Sequence, residues 1–560
     1  MPTIRSKTLF FTTSPRSPLK IIPEIQLLIE QFEGRVWNSA TQEEFAHALI
    51  SAEFYQGSPK LNNPAFSARD RINRAPRAYG FVDLKPTIAL TETGKAYINS
   101  RHKEEPLLRQ LVKFQLPSPL YPEAKNKPPR FWVKPYLELL RLIHHFGNLT
   151  FDEIMIFGMQ LVDYRLFDEI VSKIEAFRIE RSQSDVRYSE FFKEVYTREI
   201  KEIYKEEIES KQYITRESTT SSEDKFIETK KNNLRDYTDA CFRYLRGAGV
   251  VSISQRNRSI SIASEKTKEV EFLLSTISRD PVHVKDLVGY KNYLYDPELP
   301  KLYTDDFSQL SSVILEIDST VDCSSYSLPQ LKDLQFDLLD QKRQRAISSY
   351  SQRLRNYQEY DDIMETFKNI RSRGAYIDRP LMFEWNTWRA MTMIGGGEIN
   401  ANLHFDDAGN PSSTAAGNKA DIVCDYGDFI LNVEVTLQAG QKQYDNEGEP
   451  VARHVGTTCR ESGKPTYCLF IAPKVNEATI AHFYTLLHTS IYHYGGKATI
   501  IPLHLSTFEG MITRINQTGK TPDSRTILRL VNRVRDLGLA ADNEKDWFDK
   551  TEDAALNWLS

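Results

Sequence analysis

The stretch Ala420-Asp-Ile-Val-Cys-Asp-Tyr-Gly-Asp-Phe-Ile-Leu-Asn-Val-Glu-Val-Thr436 decides the reading of this chain. Two runs rich in β-branched and aromatic residues, ADIVCD and FILNVEVT, flank the turn residues Asp425-Tyr426-Gly427-Asp428, which is the pattern of a β-hairpin. A hairpin centred on Tyr426 and Gly427 brings Asp421 close to opposite Glu434, where facing side chains lie about 4.5 to 5.5 Å apart at Cβ. FILNVEVT is apolar on both faces, as in a covered central strand, so an ionised Glu434 there is costly without a partner. Two carboxylates sharing one hard cation supply it. Oxygen ligands completed by water and a phosphate describe Mg²⁺, an ion that activates water and stabilises the leaving oxygen of a phosphodiester. The alternative is that Glu434 ends a surface strand and Asp421 caps a turn.

Outward from the hairpin, PTYCLFIAP and KATIIPLHL are further strand-like runs with a helical pattern, NEATIAHFYTLLHTSIYHY, between them. A mixed sheet with flanking helices is expected over residues 376–560. Residues 291–375 are charged and helix-patterned without strands, as in a helical connector. Upstream, PEIQLLIEQFEG and QEEFAHALISAEFY read as helices, and an Arg-rich segment leads into a short hairpin, Gly80–Asp83 and Thr87–Leu90 around Pro86, with Thr91 capping the next helix. The order recurs, with a helix to Phe146, a Gly147-Asn148 break, a Thr150 cap, and later a helix to Gly247 before VVSIS and SISIA. Helices followed by a two-stranded wing suggest winged-helix units at 1–140 and 141–290.

Arg69, Arg71, Arg74 and Arg77 fall within nine residues just before the first wing. In a winged helix that segment faces DNA, where arginine grips phosphate or reads guanine. Arg16 and Lys20 join the same expected surface, and Arg256 and Arg258 in the second wing suit backbone contacts. The alternative is a solvated basic face.

Composition bounds the class. A chain of 560 residues exceeds one core, and no apolar run approaches the ~20 residues that cross a bilayer. The N-terminus lacks the apolar stretch of a secretory signal, so a cytoplasmic protein is expected. Five cysteines without a CxxC pair exclude a disulfide framework and a structural zinc site. A net charge of −4, from 72 basic and 76 acidic residues, leaves nucleic-acid binding to local clusters.

Asp421…Glu434-Val435-Thr436 resembles the PD-(D/E)xK nuclease core, with Ala420 in place of its proline and Thr436 in place of its lysine. A more specific resemblance is to the type IIS restriction and nicking endonucleases of the AlwI group. It is carried by TSPRSPLKIIPE (13–24), AFSARDRINRAPRAYGFV (65–82), FEWNTW (383–388), AAGNKAD (415–421), GDFILNVEVT (427–436), EGEPVARH (447–454) and YCLFIAP (467–473). The resemblance implies a multidomain α+β protein, with N-terminal winged-helix subdomains reading a short asymmetric site in double-stranded DNA, roughly five base pairs, a helical linker, and a C-terminal Mg²⁺-dependent nuclease cutting a few base pairs away.

It further implies Asp421, Glu434 and the Val435 carbonyl as metal ligands, and Glu384, Glu447 and His454 as catalytic positions. Taken alone, His454 reads as a structural histidine and Glu384 as a helix-surface charge. With no lysine, Glu447 and His454 are the candidates to orient or deprotonate the attacking water. One such centre cuts one strand at a time, so the expected enzyme is a nickase, or pairs with an identical chain or a small catalytic subunit for a double-strand break. The rival readings are a DNA-binding regulator with an inactive nuclease-like domain, and a transposase or repair nuclease of the same core.

Overall fold

The computed structural model describes residues 7–15, 17–52, 54–55, 63–121, 131–215, 222–254, 258–372, 376, 378–405, 410–414 and 419–559. Arg16, Arg256 and the first four residues of AAGNKAD lie outside the described residues. The chain divides into two compact units, Met1–Lys332 and Asp333–Ser560. Among the described residues no helix is long and apolar enough to cross a membrane.

The first unit opens with helices Ile21–Phe32, Ser39–Ser51 and Pro64–Ala78. The last starts where Asn63 accepts the Phe66 N–H and Pro64 presets the first turn, and it turns the small residues Ala68 and Ala75 and Ile72 inward. The hairpin of β1 (Val82–Asp83) and β2 (Ala89–Leu90) follows. Ile88 also exchanges backbone hydrogen bonds with Gly34 and Arg35, each 2.8 Å, which adds a third chain segment beside this hairpin. Thr91 then caps helix Glu92–Asn99 by accepting the Gly94 N–H, as expected from sequence.

Farther along, helix Pro135–Phe146 ends at Gly147, and β3 (Asn148–Thr150) leads into helix Phe151–Ile156. A reciprocal Thr150–Glu153 capping box closes that helix's first turn. Helix Glu223–Gly247 feeds β4 (Val251–Ser254) and β5 (Ser259–Ile262), and the three strands form an antiparallel sheet in the order β3-β5-β4. The expected boundary at 140/141 falls inside helix Pro135–Phe146.

The stretch 291–375 is helical, yet it is not a free connector. Asp305 and Lys332 join Arg109 and Glu105 in a half-buried ion cluster of the first unit, whereas Leu354, Ile363, Phe367 and Ile370 enter the core of the second. Its apolar residues are amphipathically spaced, and burying them outweighs leaving the helices solvated.

The second unit is built on a five-stranded sheet in the order β12-β11-β10-β9-β6, namely Ile500–His504, Thr466–Ala472, Ile430–Val435, Ile422–Asp425 and Glu398–Ala401. β10, β11 and β12 are parallel, and β9 is antiparallel to both neighbours. A small hairpin of β7 (Leu403–Phe405) and β8 (Pro411–Thr414) stands apart from this sheet. Helices Gln441–Ser462 and Glu477–His488 are the crossovers between parallel strands. β10 is central, with every residue from Ile430 to Glu434 buried, as its two-faced apolar pattern requires. The edge strand β6, with the sequence EINA, was not read from sequence.

Candidate active site

The hairpin β9–β10 turns one residue later than its sequence suggests. Tyr426 N–H donates to Phe429 O at 3.0 Å, so the loop is Gly427-Asp428, with Gly427 at φ +88° where a type II′ turn needs a positive value. The strands pair Ile422 with Val433, which continues to Asp421 opposite Glu434. Backbone groups hold both carboxylates. Val435 N–H donates to Asp421 Oδ2 at 2.9 Å, and Asp421 N–H in turn donates to the Glu434 carboxylate.

The other acidic side chains come from helices. Glu384 lies on helix Arg379–Ile394, started by Asp378 and Pro380. Glu447 and His454 are seven residues, two turns, apart on helix Gln441–Ser462 and so share a face. His454 Nδ1 sits 2.7 Å from Glu434 Oε1, within hydrogen-bonding distance. Thr436 Oγ1 donates to Glu447 Oε1 at 2.8 Å.

These carboxyls raise one another's pKa. Burial pushes Asp421 and Glu434 well above the usual carboxylate range, with the Glu434 charge adding to the effect on Asp421 and Glu447 to that on Glu434. Glu384 is pushed up by burial and then by Asp421, Asp378, Glu434 and Glu447. Glu447 rises for the same first reason, opposed by the Thr436 hydroxyl. Burial, aided by Arg453, pushes His454 down to about 4, so the imidazole is neutral at pH 7. Carboxyl groups are thus crowded into a buried place, and the imidazole in contact with Glu434 is uncharged.

The five expected acidic and histidine positions, Asp421, Glu434, Glu384, Glu447 and His454, lie near enough to act on one another's ionisation. Val435 is beside them, contributing its N–H to Asp421. Sequence reading missed the Thr436–Glu447 and Asn432–Thr458 contacts between β10 and the helix. The alternation of polar residues Asn432, Glu434 and Thr436 was the available signal.

The basic positions are used more variously. Lys20 and Arg69 are exposed, Arg69 stacking over Phe66 at 5.0 Å. Arg71 pairs with Glu24, whose side chain is 1 % exposed, at 2.5 Å. Arg74 holds Asp70 and donates to Thr13 Oγ1. Arg77 lies over Tyr121 at 5.0 Å. Arg258, at φ +49°, packs over Phe151, approaches Asp152 at 3.5 Å, and its carbonyl accepts the Phe151 N–H.

Comparison with known proteins identifies the class as restriction endonuclease, a site-specific nuclease acting on DNA. The chain belongs to the AlwI restriction endonuclease family, whose model matches residues 79–511. None of the curated proteins matches it. Among solved structures it is similar to the small subunit (R.BspD6I2) of the heterodimeric restriction endonuclease R.BspD6I, with 24% identity over 36% of this chain and 95% of that one and a TM-score of 0.28.

Proposed function

We propose that this restriction endonuclease is of type IIS or a site-specific nickase, which binds a short asymmetric DNA site through its N-terminal part and hydrolyses a phosphodiester a few base pairs outside it. The observation that carries the proposal is the facing pair Asp421 and Glu434, with the Val435 N–H on Asp421, joined by Glu384, Glu447 and His454. Among the described residues no three His, Cys, Asp or Glu side chains stand grouped as a ready cage for an ion. The donor set still fits Mg²⁺, being carboxylate oxygens whose charge is buried without a cation. Asp421, Glu434 and the Val435 carbonyl would hold the ion, which would supply Lewis-acid stabilisation of the phosphate and a more acidic water. Glu384 adds a further buried carboxyl beside them, and His454 fixes the orientation of Glu434.

We read the two helix-and-hairpin assemblies as winged helices. In the second, helix Pro135–Phe146, β3 and helix Phe151–Ile156 are followed, after the helices Phe167–Ser182, Tyr188–Ile203 and Lys205–Glu209, by the long helix Glu223–Gly247 and a two-stranded wing, and the sheet order β3-β5-β4 supports this reading. The first repeats it with residues 34–35 beside Ile88. Lys20 and Arg69 are the most exposed basic side chains of the described cluster, and they are proposed to meet DNA, with Arg16 and Arg256 joining them and the partly exposed Arg74, Arg77 and Arg258 at the margins. A double-strand break would require a second catalytic centre, from an identical chain or a separate small subunit.

Asp421→Asn and Glu434→Gln test the reading. Each should abolish cleavage of a plasmid in Mg²⁺ while leaving site-specific gel shifts intact, and sequencing the ends made by the wild type should place the cut outside the bound site. Full cleavage by either variant would put the centre elsewhere.

A further inference from the structure

Strand β10 and helix Gln441–Ser462 meet through three polar rungs. Asn432 Nδ2 donates to Thr458 Oγ1 at 3.1 Å, His454 Nδ1 and Glu434 Oε1 share a hydrogen bond at 2.7 Å, and Thr436 Oγ1 donates to Glu447 Oε1 at 2.8 Å. Strand residues two apart share one face of the sheet, and helix positions 447, 454 and 458, seven and four apart, share one side of the helix, so the rungs are in register. Thr436 occupies the place where the resembled nuclease core carries lysine. A lysine would bring a cation into the cluster, whereas the threonine brings one hydroxyl.

That hydroxyl has little freedom. Its oxygen accepts the Gln438 N–H at 3.1 Å, the Thr436 N–H donates to Ile471 O at 3.1 Å, and the residue is 5 % exposed. Its single hydrogen therefore goes to Glu447. Among the described residues no other hydrogen bond falls on the Glu447 carboxylate, which leaves Oε2 unengaged. His454, by contrast, is tied through Nδ1 to Glu434 Oε1 at 2.7 Å.

We propose that Thr436 is a positioning residue that clamps one oxygen of Glu447 so that the other receives the proton of the attacking water; this rests on Asp421 and Glu434 being the hydrolytic centre. In the step, the water oxygen forms a bond to phosphorus while its proton passes to Glu447 Oε2. The bond from phosphorus to the bridging oxygen breaks, and that oxygen leaves with the electron pair and takes a proton from solvent. Glu447 is then the catalytic residue, and His454, through Nδ1, orients Glu434.

Four variants of the full chain test this: Thr436→Val, which keeps shape without the hydroxyl, Thr436→Ser, Glu447→Gln, and the Val–Gln double. Single-turnover cleavage in Mg²⁺ is measured beside DNA affinity in Ca²⁺, Ca²⁺ affinity by calorimetry, and the thermal midpoint. Thr436→Val should cut at least roughly tenfold more slowly with the other three readouts unchanged, and Thr436→Ser should recover to within about threefold of wild type. The double variant should be no slower than Glu447→Gln, because the clamp has nothing left to hold. Wild-type cleavage by Thr436→Val, a serine variant no better than valine, or losses that multiply in the double would overturn the proposal. If valine misfolds, Thr436→Ala takes its place in the same comparison. Loss of cleavage in Thr436→Val together with full cleavage in Asp421→Asn would instead overturn the reading beneath it.

Discussion

Arg71 belongs to the arginine cluster expected to face DNA, yet its loss should act first on folding. Its guanidinium meets Glu24, a carboxylate at 1 % exposure on helix Ile21–Phe32, while the second Glu24 oxygen has no hydrogen-bond partner. Removing one member of a buried pair typically costs about 3 to 5 kcal/mol because the other charge is stranded. Here a limit applies, since Glu24 can escape by taking up a proton. From an ordinary value near 4.5, protonation at pH 7 costs about 3 kcal/mol at roughly 1.4 kcal/mol per pH unit. Burial already holds Glu24 above that value in the wild type, so part of this cost is already present. Arg71→Ala should therefore destabilise the first unit by about 2 to 3 kcal/mol at pH 7.

The pH dependence has a definite sign. A carboxyl whose folded pKa is raised contributes stability below its unfolded value and loses it as pH climbs toward the folded one. The variant's Glu24 is raised further, so the gap between wild type and variant should be small near pH 4.5 and widen toward pH 7. Hydrogen exchange on peptides covering Ile21–Phe32, corrected for intrinsic rates, measures the opening free energy at both pH values. The double variant Glu24→Gln, Arg71→Ala, which strands no charge, should regain at least half the loss. Equal protection of variant and wild type at pH 7, or a double variant no better than the single, would refute the reasoning.

Three further outcomes are expected. Arg69→Ala should leave the thermal midpoint unchanged and make the logarithmic salt dependence of DNA affinity shallower by about one unit, because its side chain is exposed and its contact within the chain is to the Phe66 ring; an unchanged slope would remove it from the interface. Gly94→Ala would set a Cβ 2.1 Å from the Phe81 carbonyl oxygen beside the β1–β2 hairpin, so the first unit should lose about 2 kcal/mol or more, seen as a lowered thermal midpoint. Lys113 is fully buried, with Nζ donating to the Leu294 and Asp296 carbonyls, and burial pushes it down to about 7. Above pH 7 the unfolded chain binds the proton that the folded one releases, so stability should rise between pH 7 and 9, and Lys113→Met should flatten that rise in a series of thermal midpoints.

Local pattern made much of the fold legible. Gly427 and the alternating apolar residues around it specify a hairpin, Thr91 and Thr150 announce their helices, and VVSIS and SISIA pair as written, because caps, turns and strand periodicity act over a few residues. The facing of Asp421 and Glu434 was also within reach, since a hairpin's register follows from its turn. A one-residue shift in that turn changed only how squarely they face. The strand EINA was not legible, because its alternation holds only two apolar residues, Ile399 and Ala401, too short a run to announce a strand that is made by its pairing with β9.

The contacts that decide chemistry lie between segments far apart in the chain. Nothing near Arg71 in sequence marks it as spent on Glu24, 47 positions away, while Arg69, two residues earlier, stays in solvent. Whether a given arginine is a contact or a counter-ion depends on which carboxylate the packing buries beside it, and burial is a property of the assembled core. Likewise residue types could nominate Glu384, Glu447 and His454, but only the docking of helix Gln441–Ser462 on β10 aligns Thr436 with Glu447 and Glu434 with His454. Charges whose protonation depends on neighbours from several elements acquire their chemistry when those elements pack together.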